Sequence, residues 1–558
     1  MPDILLIQPP IRDFYLTAKR TLPYGLACIA AAVRQVGFSV AIMDGLATVK
    51  SRVIPWPDEM AYLQPFYGRP DRSPFGLFHH FRHFGYSLEH IARRAKDSGA
   101  SIVGISSLFS AYAETALETA AAVKKILPGA RIVLGGHHPS ALPEAVMGHP
   151  AVDFVVAGDG ETGLPQLALA LRHGTPLEAV PGLVWRKPDG SLGRNPPARL
   201  ADLDLLPVPA FDLIDWHFYR RAGQGSVAIS AGRGCPLRCT YCAVNAATHH
   251  GYRCRSVAGV MAELEAADRL APLGFIDFED EHLTADRDWF LALMTAVRHY
   301  FGDRPPELRA MNGLLASSLD SETLAAMHRS GFKTLNLALI TTAAAQLKRF
   351  GRPDLTGDMD RVLALATQFG LSSVAYLIVA GPGQDPYDAL QDLLFLAQRR
   401  VLAGVSVFYP APGSADYGWC RRHGLLPSHS GLLRATALPL THTTDRLQAV
   451  TLMRLGRILN FMKALLDEGR CLPDPARAPA RVDADADRAA AGRVLLAAFL
   501  KDGSVCGIDA DGRVYAHAVD LTLTQAFRDG LARISVQGAA ADPRAGATRP
   551  YGRSVGSG

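Results

Sequence analysis

The chain is poor in cysteine, with eight in 558 residues, and they make no dense, even framework. That argues against a small disulfide-stapled secreted fold and for a reducing cytosol. It also lacks a polybasic run: 58 Lys and Arg against 53 Asp and Glu leave a net charge of +5. Such a balance gives no reason to expect nucleic acid or an anionic membrane surface as a partner. The segment Pro2-Asp3-Ile4-Leu5-Leu6-Ile7 has neither the basic region nor the cleavage site of a signal peptide. Long apolar runs are missing too. The 23 uncharged residues 362–384 are interrupted by Gln368, Gly370, Ser372, Ser373 and a Gly-Pro-Gly. They read as a helix end and a buried strand, so no membrane span and a cytoplasmic location are expected.

Three of the few cysteines stand together. Cys235, Cys239 and Cys242 lie in Gly-Arg-Gly-Cys-Pro-Leu-Arg-Cys-Thr-Tyr-Cys, a CxxxCxxC spacing. Three thiolates on one tight loop can hold three irons of a 4Fe–4S cube and leave the fourth open to a substrate. A zinc site is the alternative, since His249 and His250 complete a Cys3His set. With Tyr241 just before the third thiolate, the spacing resembles the signature of the radical S-adenosylmethionine (SAM) enzymes.

In the first third, short apolar runs alternate with helical patterns: Ile4–Ile7, Val40–Met43, Ile102–Ser106, Ile132–Leu134 and Phe154–Val156. Strands buried on both faces and separated by helices predict a doubly wound parallel α/β sheet of flavodoxin or Rossmann type. Its ligand edge carries Gln8-Pro9-Pro10, Ser106-Ser107-Leu108, Gly135-Gly136-His137-His138 and Gly158-Asp159-Gly160-Glu161. Ser106-x-Leu108 precedes Gly135-Gly136 by 26 residues, which resembles half of a cobalamin-binding fingerprint. The other half, Asp-x-His-x-x-Gly, is absent. The resemblance, to cobalamin-binding-domain-containing radical SAM proteins, spans about residues 1–470. It implies that Ser106, Leu108, Gly135, Gly136 and His138 hold cobalamin with no histidine on its lower face. His137 and His138 can equally be solvent-facing or helix-capping loop residues. The aromatic-rich stretch 47–90 reads as a packed insertion, either a cap on the cofactor or a satellite core.

From Ser226 the alternation resumes, and the resemblance implies a partial TIM-type barrel. There Asp280 or Glu281 would hold the SAM ammonium beside Tyr241, or merely sit at a helix N-terminus. Thr341 would offer a hydroxyl to the ribose, with Gly381 and Gly383 near the adenine. Two departures stand out: Ala338-Leu339-Ile340-Thr341-Thr342 lacks a glutamate usual in the family, and Gln384 replaces an acid.

The expected organisation is a cobalamin-binding domain over 1–200 with the insertion at 47–90, a linker at 201–222, and the barrel over 223–430. A helical extension at 431–470, a second linker at 471–493, a small accessory segment at 494–536 and a disordered tail at 537–558 follow. The resemblance implies a 4Fe–4S cluster that cleaves SAM to a 5′-deoxyadenosyl radical, with cobalamin supplying a methyl group to an unactivated carbon of a small molecule. A flavodoxin or ferredoxin would donate the electron. The rivals are a radical cyclase resembling the anaerobic magnesium-protoporphyrin enzyme and a binding protein with a degenerate barrel.

Overall fold

A computed structural model describes residues 1–15, 22–244, 251–483 and 487–540. His249, His250 and most of the expected tail lie outside the described residues.

The N-terminal sheet has seven strands in the order Leu192–Arg194, Leu183–Arg186, Phe154–Val156, Arg131–Gly135, Ile102–Ser106, Ile4–Gln8 and Val40–Asp44. The last five run parallel, and the first two form an antiparallel hairpin at the edge. Alternation along one strand builds both cores. Ile4 and Leu6 face the helices Tyr24–Gln35 and Gly160–His173. Leu5 and Ile7 face Leu88–Ser98 and Ala113–Ile126. Strand order reverses between Ile4–Gln8 and Ile102–Ser106, and a crevice opens at such a switch point at the carboxyl ends of the strands.

The middle of the chain supplies six parallel strands in two ladders. One holds Gln224–Ile229, Leu273–Phe278 and Glu307–Arg309, and the other holds Thr334–Ile340, Ser372–Val379 and Leu402–Val407. Isolated parallel bridges, Leu308 to Phe332 and Leu314 to Leu337, connect the two. No ladder joins the first strand to the sixth among the described residues, so the barrel stays open.

The aromatic insertion shares the barrel's core and is not a separate satellite. Ser51–Val53 and Arg82–Phe84 form a three-stranded sheet with Ile11–Asp13. Phe14 packs edge-on against Trp56 and Phe81 at 4.9 and 5.0 Å. Below them Arg454, on the helix Arg446–Asp467, is buried and donates to the carbonyls of Phe66 and Phe75. The stretch expected as a separate accessory segment also joins this core. The helix Arg488–Asp502, the hairpin Cys506–Ile508 with Val514–Ala516, and the helix Leu521–Leu531 bury Leu495, Phe499, Ile508 and Phe527 against the barrel's apolar residues. The hairpin turns at Asp511-Gly512, where Gly512 takes φ +79°. His517 and Asp71 close the contact as a buried pair at 2.7 Å.

Candidate functional site

The strand Gln224–Ile229 runs directly into the cysteine loop, and two acids of the next strand end hold that loop. Asp280 is 4 % exposed and accepts from the backbone amides of Ala231 and Gly232 at 3.0 and 2.6 Å. Burial pushes its carboxyl up to about 7. Glu281 accepts from Gly234 N at 3.0 Å. Both oxygens of Asp280 therefore already hold loop backbone. Glu281 keeps the better claim to the SAM ammonium, with one oxygen bonded to the loop and its charge felt by Cys235 and Cys242.

The three thiols are free and half-buried. Burial raises Cys235 and pushes Cys242 up to about 11, with the neighbouring thiols adding to both. Iron would displace these protons on binding. No three His, Cys, Asp or Glu side chains converge as a single-ion site among the described residues. A cube does not require that, because each thiolate takes its own iron. Three thiolates on one loop, each free to take its own iron, fit a cluster. Arg352 Nη1 donates to Cys239 Sγ at 3.8 Å, and its Nη2 donates to Ala338 O at 2.7 Å. The Tyr241 hydroxyl also reaches the Cys239 sulfur, and its ring packs on Phe350 at 5.0 Å. Thr240 Oγ1 donates to Asp416 at 2.8 Å, and Arg349 pairs with the same carboxylate at 2.9 Å.

The strand ends farther round the barrel differ from expectation. Thr341 is 1 % exposed, and its hydroxyl is engaged within the protein, accepting from Ala343 N at 3.1 Å and bonding the Asp392 carboxylate, which leaves it turned away from a ribose. Asp392 holds Thr342 through both its amide and its hydroxyl. Ile340 stands at φ +75° beside a register shift, a conformation that disfavours a β-branched side chain. Gly381 and Gly383 lie in a braced turn. Gly381 N donates to Gln384 Oε1 at 2.9 Å, and Gln384 Nε2 donates to Ile378 O at 3.0 Å. An amide can do both, whereas a carboxylate cannot donate, which explains the departure at this position. His282 is buried, with Nδ1 unpartnered among the described residues, and both burial and Arg352 hold it neutral. It is a ready donor or acceptor for a bound ligand.

At the N-terminal sheet, Ser106 ends its strand half-buried. Gly136 takes φ +114°, and a Cβ there would lie 2.6 Å from Ser107 O. The buried Ser107 hydroxyl has no partner among the described residues. Leu108 and Phe109 stand 46 and 57 % exposed on the same edge. A close backbone approach, an unsatisfied hydroxyl and bare apolar side chains fit the nucleotide tail and ring of cobalamin. His138 is buried, its Nδ1 lies 2.9 Å from Ser110 Oγ, and burial lowers it to about 4. It braces the loop as a neutral imidazole, while His137 is exposed.

The two edges are joined by Arg233, two residues before Cys235. It donates to Asp159 Oδ1 at 2.9 Å and to Glu161 Oε1 at 2.6 Å. Arg253 adds a pair to Asp159 at 3.6 Å. Next to it Arg255 pairs with buried Glu263. Sequence reasoning quoted Arg233, Asp159 and Glu161 in motifs without a role for any of them, and missed Arg352. The only available signal was a lone cation or acid beside a cofactor motif.

Residues 78–168 match the B12 binding domain model and residues 229–396 match the Radical SAM superfamily model. An uncharacterized methyltransferase of Pyrococcus horikoshii is 24 % identical over 428 residues, 76 % of this chain and 84 % of that protein. The cytidylyl-2-hydroxyethylphosphonate methyltransferase of Streptomyces wedmorensis is 24 % identical over 477 residues, covering 78 and 84 %. The anaerobic magnesium-protoporphyrin IX monomethyl ester cyclase of Synechocystis is 23 % identical over 288 residues, half of this chain and 56 % of that one. Among solved structures, the radical SAM methyltransferase TsrM of Kitasatospora setae, with cobalamin and a [4Fe-4S] cluster bound, superposes at a TM-score of 0.56 with 18 % identity over 75 % of this chain and 74 % of that one. The cobalamin-dependent radical enzyme OxsB, with aqua-cobalamin and SAM bound, gives 0.61 with 15 % identity over 84 and 67 %. The chain thus carries a B12-binding domain ahead of a radical SAM domain, with the cysteine triad at the first strand end of the barrel.

Proposed function

We propose that the chain is a cobalamin-dependent radical SAM enzyme that methylates an unactivated carbon of a small molecule. The observation that carries this is the pairing of two carboxyl edges. The free thiols Cys235, Cys239 and Cys242 stand on one edge, and Arg233 ties their loop to the edge that bears Gly136. When bound, a 4Fe–4S cluster supplies the electron that cleaves SAM, and cobalamin supplies the methyl group. Asp280 and Glu281 fix the loop that presents the thiols, so their spacing is set before iron arrives. Arg352 places a positive charge at Cys239 Sγ, where the thiolate needs it. Gly136 and Ser107 offer close backbone and a spare hydroxyl to the cobalamin tail. A flavodoxin or ferredoxin is the natural electron donor. No described helix is long and apolar enough to cross a membrane.

The test uses anaerobically reconstituted protein. Wild type should bind cobalamin and cleave SAM, and alanine at Cys235, Cys239 and Cys242 should abolish the cluster's visible absorbance and the cleavage together. A triple variant that kept both would sink the assignment. The match to a cyclase over half of the chain supports a second reading, radical cyclisation. Product mass separates the two, because methylation adds one carbon and cyclisation adds none.

A further inference from the structure

The two edges are linked by a continuous run of hydrogen bonds. Ser107 N donates to Gly135 O at 2.8 Å, and His138 N returns to Ser107 O at 3.2 Å. Ser140 Oγ donates to Gly136 O at 2.8 Å and accepts from Gly158 N at 3.0 Å. Asp159 follows Gly158 directly, and Leu200 N holds its second oxygen at 2.7 Å. Asp159 and Glu161 then share the Arg233 guanidinium, and Arg233 pairs in register with Arg253 on the short ladder that opens the cysteine loop. Side-chain exposures of 22 % for Arg233, 9 % for Asp159 and 7 % for Glu161 keep water from screening the pairs. Without this cation Glu161 would lose its ion-pair partner and Asp159 would keep only the longer pair with Arg253. The loops on either side therefore move together or not at all.

We propose that Arg233, gripped by Asp159 and Glu161, is a positioning residue that couples the two cofactor sites. Cobalamin on the Ser107–Gly136 edge and a cluster on Cys235, Cys239 and Cys242 each tighten the binding of the other. The inference rests on the cobalamin and cluster reading above. The coupling is reciprocal, because a ligand that orders one loop biases the other by the same factor in both directions.

The experiment measures the dissociation constant of hydroxocobalamin for the full chain under anaerobic conditions, with and without the reconstituted cluster. In wild type the constant should fall about five-fold or more when the cluster is present. Equilibrium competition for iron with a chelator should shift by the same factor on adding cobalamin. In Arg233→Gln and Glu161→Gln both ligands should still bind, and the ratio should fall toward one. Arg233→Lys keeps the charge without the fork and should retain part of it. Ser140→Ala cuts the path at a second point and should also lower the ratio. A merely structural Arg233 would, on removal, weaken both ligands and thermal stability and leave the ratio unchanged. If Arg233→Gln fails to fold, Glu161→Gln and Ser140→Ala decide the matter. A wild-type ratio of one, or a ratio that survives in both of those variants, overturns the coupling alone. Wild-type protein that binds no cobalamin or forms no cluster overturns the function reading and the coupling with it.

Discussion

At Cys239 a sulfur ligand meets a fixed cation, since Arg352 is held from its other side by the carbonyl of Ala338. Positive charge and a donated hydrogen bond favour the more negative, reduced form of a cluster, so they raise its potential. Arg352→Gln should keep its iron content and lower the midpoint potential by on the order of tens of millivolts, with Lys keeping part of the effect. A redox titration followed by paramagnetic resonance reads this directly, and an unchanged potential would leave Arg352 as a strut for the Ala338 strand. Gln384 makes the same point for an uncharged side chain. Gln384→Glu can no longer donate to Ile378 O, and a buried carbonyl without a partner costs about 1–3 kcal/mol. Thermal unfolding of that variant should shift down.

The strand ends are the elements on which function rests, and the loop Gly135–His138 is the most constrained of them. Gly136→Ala forces a Cβ to within 2.6 Å of Ser107 O at φ +114°, with strain of about 1–3 kcal/mol. Equilibrium dialysis should find its cobalamin affinity reduced more than about ten-fold, since the loop must shift off the edge to fit the methyl group. These strands were readable in the sequence because apolar runs such as Ile4–Ile7 are local, and the cysteine spacing was readable because its chemistry is local too. The roles of Asp280, Thr341 and Arg352 were not. Asp280 spends its charge on amides 48 and 49 residues away, and Arg352 meets Cys239 across 113 residues. Spacing along a chain carries no record of which distant donor an acid will meet. The C-terminal hairpin turns locally at Asp511-Gly512, but its burial against the barrel is not local, because amphipathic residues do not name the surface they cover.

In the molecule as a whole, charge is buried where segments far apart in sequence meet. Lys463 is fully buried and donates to Arg399 O at 2.6 Å and Gln537 O at 2.9 Å, pinning the end of the described chain to the barrel. Desolvation lowers its ammonium from 10.5 to about 7. Between those values the unfolded chain binds the extra proton, so stability rises with pH across that window and is lost as pH falls toward 7. Denaturant melts of wild type should therefore strengthen from pH 7 to 9 relative to Lys463→Met, by at most about 1.4 kcal/mol per pH unit. Phe527→Ala, in the helix Leu521–Leu531, should cost about 3–5 kcal/mol, as large core truncations do, and thermal unfolding should show the barrel melting with it as one transition. The Asp71–His517 pair adds a dimension of time, for its members are 446 positions apart. A ribosome adding ~5–20 residues per second needs roughly 20 to 90 seconds between making Asp71 and making His517. Until then the surface around Asp71 lies open to wrong partners, so this contact is among the late steps of folding on the ribosome.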